Sequence, residues 1–301
     1  MTVRVEPLPA AAAAESRPAP SALGRLAANR AALLSAAGLL LLVAAALLAP
    51  WIAPYPYDAT DLALGASPPS AAHWLGTDEL GRDLLTRLLY GARVSLAVGA
   101  AATVVSLTIG VVYGAIAGYA GGRVDQVMMR VVDVLYGLPF IIFVIILMVL
   151  VGRSVVNLFL ALGAVEWLTL ARITRGQVLA LKARPFVEGA RALGASPWRL
   201  LLRHLLPNGI APIVVYATLK VPDVMLDEAF LSFLGLGVQP PMASWGSLAA
   251  EGAVAMEVYP WLLLFPGLAL ASTLLALNFL GDGLRDALDP HHDEGRLEAG
   301  G

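Results

Sequence analysis

Residues 172–208 read RITRGQVLALKARPFVEGARALGASPWRLLLRHLLPN. Their local chemistry describes two short helices joined by a turn. Pro185 suits a first helical turn, where its missing N–H would be unpaired anyway. Phe186, Ala190 and Leu193 then fall on one face, and Glu188 stands i,i+3 from Arg191 as a candidate ion pair. Gly194 is a natural stop, because glycine takes left-handed backbone cheaply. Ser196 and Pro197 form the N-cap and first-turn pair of a second helix, expected to run to Pro207. A basic, partly apolar helix–turn–helix of this kind reads as a docking element. The competing reading is a surface hairpin that merely connects its neighbours.

Those neighbours are apolar runs long enough to cross a bilayer, whose core of about 30 Å takes roughly 20 helical residues. Uncharged runs occupy residues 31–52, 94–122, 134–152 and 258–281, and the run 154–171 is broken only by Glu166. A further run, 209–231, carries Lys220, Asp223, Asp227 and Glu228. The expected fold class is an all-α polytopic membrane protein with six transmembrane helices. Composition agrees: 14% of residues are charged, 58% are hydrophobic and mean hydropathy is +0.76, against about 25% charge in a soluble domain. The first run exceeds the roughly 7–15 residues of a signal-peptide core and follows a tail, residues 1–30, so it reads as an uncleaved span. The tail is rich in Ala and Pro without periodicity, and its expected state is disorder.

Lys and Arg favour cytoplasmic loops. Fifteen of them fall in one set of alternate loops and tails; the other set holds only Arg82, Arg87, Arg93 and Arg153. Both termini are therefore expected in the cytoplasm. The layout divides into the tail 1–30, a first span with an outer amphipathic helix (31–93), a five-helix core (94–281) carrying the loop 172–208, and a tail 282–301.

Several chemistries are excluded. With no cysteine there is no disulfide, thiolate metal site or cysteine nucleophile. His73, His204, His291 and His292 show no metal-site spacing, and a net charge of −2 offers no field for nucleic acid. No residue is assigned a catalytic or metal-binding role.

The loop resembles the cytoplasmic EAA loop of permease subunits of bacterial binding-protein-dependent ABC importers. That pattern is Glu-Ala-Ala, three residues, Gly, nine residues, Ile, one residue, Leu-Pro. Glu188, Gly189, Ala190, Gly194 with its neighbour Ala195, Leu206 and Pro207 stand at the expected spacing. Gly189 replaces an alanine, and His204 stands at the isoleucine position, as is usual in the peptide-permease branch. Two further stretches are similar to the smaller, C-type permease of dipeptide and oligopeptide importers. One is LGTDELGRDLLTRLLYGARVSLAVG (75–99), which reads as an amphipathic helix with Thr77, Asp78 and Glu79 at its N-terminus and Leu80, Leu84, Leu85, Leu88 and Leu89 opposite Arg82, Asp83 and Arg87. Its favoured role is an interfacial helix that orients the next span. The other is EAFLSFLGLGVQPPMASWGSLAAEG (228–252), whose glycines and prolines forbid regular helix over 235–241. Such backbone lines either the outer mouth of a pathway or a plain outer loop.

The resemblance implies the type I ABC importer permease fold (MetI-like) in the inner membrane. It also implies a sister permease subunit, two cytoplasmic ATP-binding subunits and an extracytoplasmic solute-binding protein as partners. The chain needs no cofactor of its own on this reading. The phosphate-cradling loop ends in Gly-Lys-Ser/Thr, and neither Lys182 nor Lys220, the two lysines, follows one. ATP would be bound and hydrolysed by the partner subunits. Substrates implied are di- and oligopeptides, with nickel chelates, glutathione and other small solutes as alternatives. A proton-coupled transporter using Glu166, Lys220, Asp223 and Asp227 would show two similar halves, and no internal repeat is visible. An intramembrane hydrolase would need a nucleophile and a base on facing spans, and no histidine lies in a span.

The charged run departs from the largely apolar family pattern. At 100° per residue Lys220, Asp223 and Asp227 fall within about 60° of one helix face. That face, with Glu228 following it, is either an internally paired cluster or part of the translocation path.

Overall fold

In the apolar runs every backbone N–H and C=O must find a partner within the chain, which selects helix. The computed structural model describes residues 22–152 and 154–288; expectations for Arg153, His291, His292 and the outer parts of both tails lie outside the described residues. Among these residues the helices are α1 (Ala22–Ala28), α2 (Arg30–Ile52), α3 (Leu84–Ala120), α4 (Gly122–Tyr136), α5 (Phe140–Val151), α6 (Val155–Lys182), α7 (Pro185–Ala192), α8 (Pro197–Leu200), α9 (Leu206–Phe233), α10 (Trp245–Ala255) and α11 (Trp261–Leu288). Five helical stretches are long and apolar enough to span a membrane: α2, α3, α6, the stretch Pro197–Phe233 and α11. The pair α4 and α5 passes the same test but is bent by 86°, giving six spans if it counts as one.

The bend corrects the expectation of one straight helix over 134–152. Gly137 ends α4, and Pro139 caps α5 with extended-side backbone (ψ 114). Proline offers no N–H and steers the residue before it away from helix.

α3 and α6 pack tightly because α3 carries glycine at every fourth position facing α6. A Cβ on Gly114 would lie 2.2 Å from the Ala171 carbonyl oxygen, and one on Gly110 would lie 2.7 Å from Leu170 Cβ. Small residues at this spacing let two helices approach closely in lipid, where dispersion contacts replace the hydrophobic effect. The central core joins Val98 and Ala102 of α3, Val144 and Met148 of α5, Leu158 and Leu162 of α6 and Val224 of α9.

Three local expectations change. Residues 22–28, assigned to the disordered tail, form α1, where the Arg25 guanidinium donates to the Ala287 carbonyl at 3.0 Å. It thereby covers an unsatisfied carbonyl at the C-terminal end of α11. Thr77, Asp78 and Glu79 do not open a helix: Asp83 is the N-cap, accepting from Thr86 N at 2.8 Å, and α3 continues without a break into the second span. Gly81, at φ +74, supplies the turn that delays the helix. Arg87 is not on a solvated face either. It is 3% exposed and donates to Asp78 at 2.6 Å and to Glu251 of α10 at 2.8 Å. That pairing ties the outer loop to α10, a helix the sequence reading left unassigned.

Candidate functional site

The loop between α6 and α9 takes the expected form with one extension. Pro185 opens α7, Gly194 turns the chain at φ +81, and the Ser196 hydroxyl accepts from Arg199 N at 3.4 Å to cap α8. The second helix does not stop at Pro207. It passes through a π-helical turn, Leu201–Leu205, and runs on as α9 to Phe233. The wider turn admits Pro207 near the start of α9 without a break. The loop is thus joined to the fifth span by an unbroken helical path.

Packing decides which face is free. Val187 is fully buried against Ala115, Val178, Leu200 and Leu205, with Ala190, Ala195 and Leu206 packed beside it. Glu188, Gly189, Gly194 and Pro207 are exposed. A Cβ added at Gly189 or Gly194 would meet nothing within 4 Å. Phe186 and Leu193, expected on one face with Ala190, point outward at 44% and 91% exposure, and Trp198 and Leu202 join them at 65% and 59%. Among the described residues Glu188 and Arg191 form no ion pair, so the expected i,i+3 contact is not made. Four large apolar side chains exposed along one helix–turn–helix, with Arg184, Arg191 and Arg199 exposed beside them in sequence, are the signature of a surface meant to be covered by protein.

The charged face of α9 is held by a partner on α6. Lys220 Nζ lies 2.9 Å from Glu166 and 3.2 Å from Asp223. Glu166 is 13% exposed, Lys220 24% and Asp223 60%. The Lys220–Asp223 contact follows from the i,i+3 spacing, whereas the interhelical one depends on how α6 packs on α9. A cavity of about 200 Å³ adjoins the pair, lined by Tyr136, Phe140, Val165, Glu166, Thr169 and Lys220. Asp227 is half-buried on the same face.

Glu228, grouped with these residues from sequence, points elsewhere. It is fully buried and accepts from Ser232 at 2.8 Å and from Ser244 at 2.6 Å. Ser244 also caps α10, with Ser247 N donating at 3.1 Å to its hydroxyl. Trp245 N donates to Ser95 of α3 at 3.0 Å. Glu228 therefore pins the irregular segment 235–244 and the start of α10 against α9 and α3, and it lines no surface of this chain.

Residues 110–293 match the family described as the inner membrane component of binding-protein-dependent transport systems. The chain belongs to that family. Residues 20–69 match the N-terminal transmembrane domain of oligopeptide transport permease C. An oligopeptide transport system permease protein, OppC, from Haemophilus influenzae is 49% identical over 87% of this chain and 85% of its own length. A dipeptide transport system permease protein, DppC, from Bacillus subtilis is 46% identical over 88% and 83%. A glutathione transport system permease protein, GsiD, from Pectobacterium atrosepticum is 43% identical over 85% and 86%. Among solved structures, a chain of the MetNI methionine ABC transporter shares the fold, with a TM-score of 0.55 and 20% identity over 68% of this chain and 98% of that one. This permease is thus a multi-pass inner-membrane protein of the MetI-like fold.

The sequence held a signal for the contact that the permease adds at Glu166. A single acid in an otherwise uncharged span needs a counter-charge, and with only two lysines in the chain Lys220 was the intramembrane candidate. No comparable signal marked Arg87 with Glu251, whose partners lie 164 residues apart.

Proposed function

We propose that this permease is the C-type transmembrane subunit of an ATP-driven importer of di- and oligopeptides. It would pair with a sister permease to enclose the path, dock two cytoplasmic ATP-binding subunits and receive substrate from an extracytoplasmic binding protein. It needs no cofactor of its own, because ATP is bound and hydrolysed by the docked subunits. The carrying observation is the loop: Phe186, Leu193, Trp198 and Leu202 stand exposed on a helix–turn–helix continuous with the fifth span. Movement of an ATPase groove around α7 would be transmitted along α8 and α9 as along one rod. Glu188, Gly189, Ala190, Gly194, Ala195, Leu206 and Pro207 form that docking element. Peptide substrates are supported by the names of the relatives at 46–49% identity.

Lys220, Asp223 and Asp227 supply the polar wall of the path in this reading. Charges facing lipid at mid-bilayer cost about 2.5–3.5 kcal/mol each on insertion scales, and the Asp223 side chain is 60% exposed. Pairing with Glu166 holds Lys220 in place, and Asp223, 3.2 Å from the same ammonium, keeps an exposed face that can meet a solute.

Gly194→Asp tests the docking role. The site has open space around it but positive φ, where a side chain costs about 1 kcal/mol or more. The expected result is normal insertion with loss of labelled-dipeptide uptake by cells expressing the whole importer. Normal uptake by correctly assembled Gly194→Asp importer would reduce the loop to a connector.

A further inference from the structure

A second cavity, of about 810 Å³, shares no lining residue with the loop or with the cavity beside Glu166 and Lys220. It opens between α2 and α3. Its walls include Val43 and Leu47 of α2, Ala97 and Ala100 of α3, Val155 of α6, Val221 of α9 and Leu277 of α11, with Tyr57 and Tyr90 at its mouth. Small side chains on α3 create the hollow. Val43 and Leu47 stand 40% and 62% exposed.

Among the described residues the cation at the mouth is Arg93. Arg93 stands immediately before the apolar run that begins at Val94, so it marks the outer end of the hydrophobic part of α3. Its guanidinium lies over the Tyr90 ring at 5.6 Å, and Tyr90 stacks on Tyr57 at 4.9 Å. Among the described residues no carboxylate pairs with Arg93. Tyrosines at this level belong to the aromatic belt of a membrane interface. Ala100 lies about 10 Å deeper along α3 at 1.5 Å per residue.

We infer that this groove is a binding site for an outer-leaflet phospholipid of net negative charge, with its phosphate on Arg93 and an acyl chain between α2 and α3. The charge pattern selects that occupant. An unpaired guanidinium at the edge of the hydrocarbon calls for an anion, and guanidinium matches phosphate oxygens in a two-point contact. Below Arg93 the walls named above offer only apolar side chains. A peptide in the groove would leave its backbone amides unpaired, whereas an acyl chain has no such groups. The lipid would fill the space left beside the direct packing of Ala46 of α2 on Leu88 and Ala92 of α3.

The test uses the complete importer in nanodiscs, with the photocrosslinker benzoylphenylalanine placed at Ala100. After illumination, the intact mass of this subunit is read. In phosphatidylglycerol discs the expected product is the subunit plus one phospholipid, several-fold more abundant than in phosphatidylcholine discs. Arg93→Gln should lower that adduct roughly fivefold, the equivalent of about 1 kcal/mol for one basic residue at an anionic surface, and Arg93→Lys should retain most of it. Should Arg93→Gln fail to assemble, the comparison of the two disc types with Arg93 intact decides alone. Equal adducts in both disc types, crosslinking to the sister permease or to added dipeptide in place of lipid, or no lipid adduct would each overturn the assignment.

Discussion

Replacing Lys220 with methionine removes the cation that pairs with Glu166 and Asp223 and faces Asp227 on the same side of α9. At 2.9 Å and an effective dielectric near 20, the Lys220–Glu166 attraction is about 6 kcal/mol before desolvation is subtracted. Breaking such a pair while one charge stays buried costs about 3–5 kcal/mol, and Glu166 is only 13% exposed. Lys220→Met should therefore destabilise this subunit by about that amount. Glu166→Gln should cost less, because Asp223 remains 3.2 Å from the ammonium. The double variant Lys220→Met/Glu166→Gln should recover more than half of the loss, since no unpaired buried charge is left. The assay is unfolding of this subunit in the purified importer, titrated with sodium dodecyl sulfate. A Lys220→Met variant within about 0.5 kcal/mol of the parent, or a double variant whose cost is the sum of the singles, would refute the view that the pair locks α6 to α9.

Two further outcomes are expected. A cysteine at exposed Ala71 in the outer loop should react with an impermeant thiol reagent on intact cells, and one at exposed Ser196 only after the membrane is opened; labelling of Ser196→Cys from outside would reverse the orientation. Changing Lys220, Asp223 and Asp227 to Leu, Ala and Ala, with Glu166→Gln so that no buried charge is left unpaired, should shift the competition among acidic, neutral and basic dipeptides for uptake, and an unchanged profile in a well-expressed variant would reduce the cluster to packing.

What could be read before folding was local. Pro185, Gly194, Ser196 and Pro197 act through the backbone of their own neighbours, so the helix–turn–helix was legible with its left-handed glycine. Span positions followed from uncharged runs, because lipid tests every residue of a span in the same way. Three features escaped for one physical reason: they depend on which distant element arrives alongside. Arg87 reads as solvated until Asp78 and Glu251 are brought to it. Glu228 reads as one of four charges on a span until Ser95 and Ser244 enclose it. Glu166 finds Lys220 only once α6 packs on α9. The break at 137–139 was different. Gly137 and Pro139 were visible in the sequence, but uniform apolarity on the C-terminal side masked the stop they encode.

The most direct measurement is peptide uptake by vesicles containing this permease, its sister permease and the ATP-binding subunits, with the loaded binding protein outside and nucleotide inside. Uptake of labelled dipeptide should require hydrolysable ATP, persist when the proton gradient is collapsed by an uncoupler, and vanish when the ATP-binding subunits are omitted. Uptake that continues without ATP or without those subunits, and stops with the uncoupler, would contradict the account.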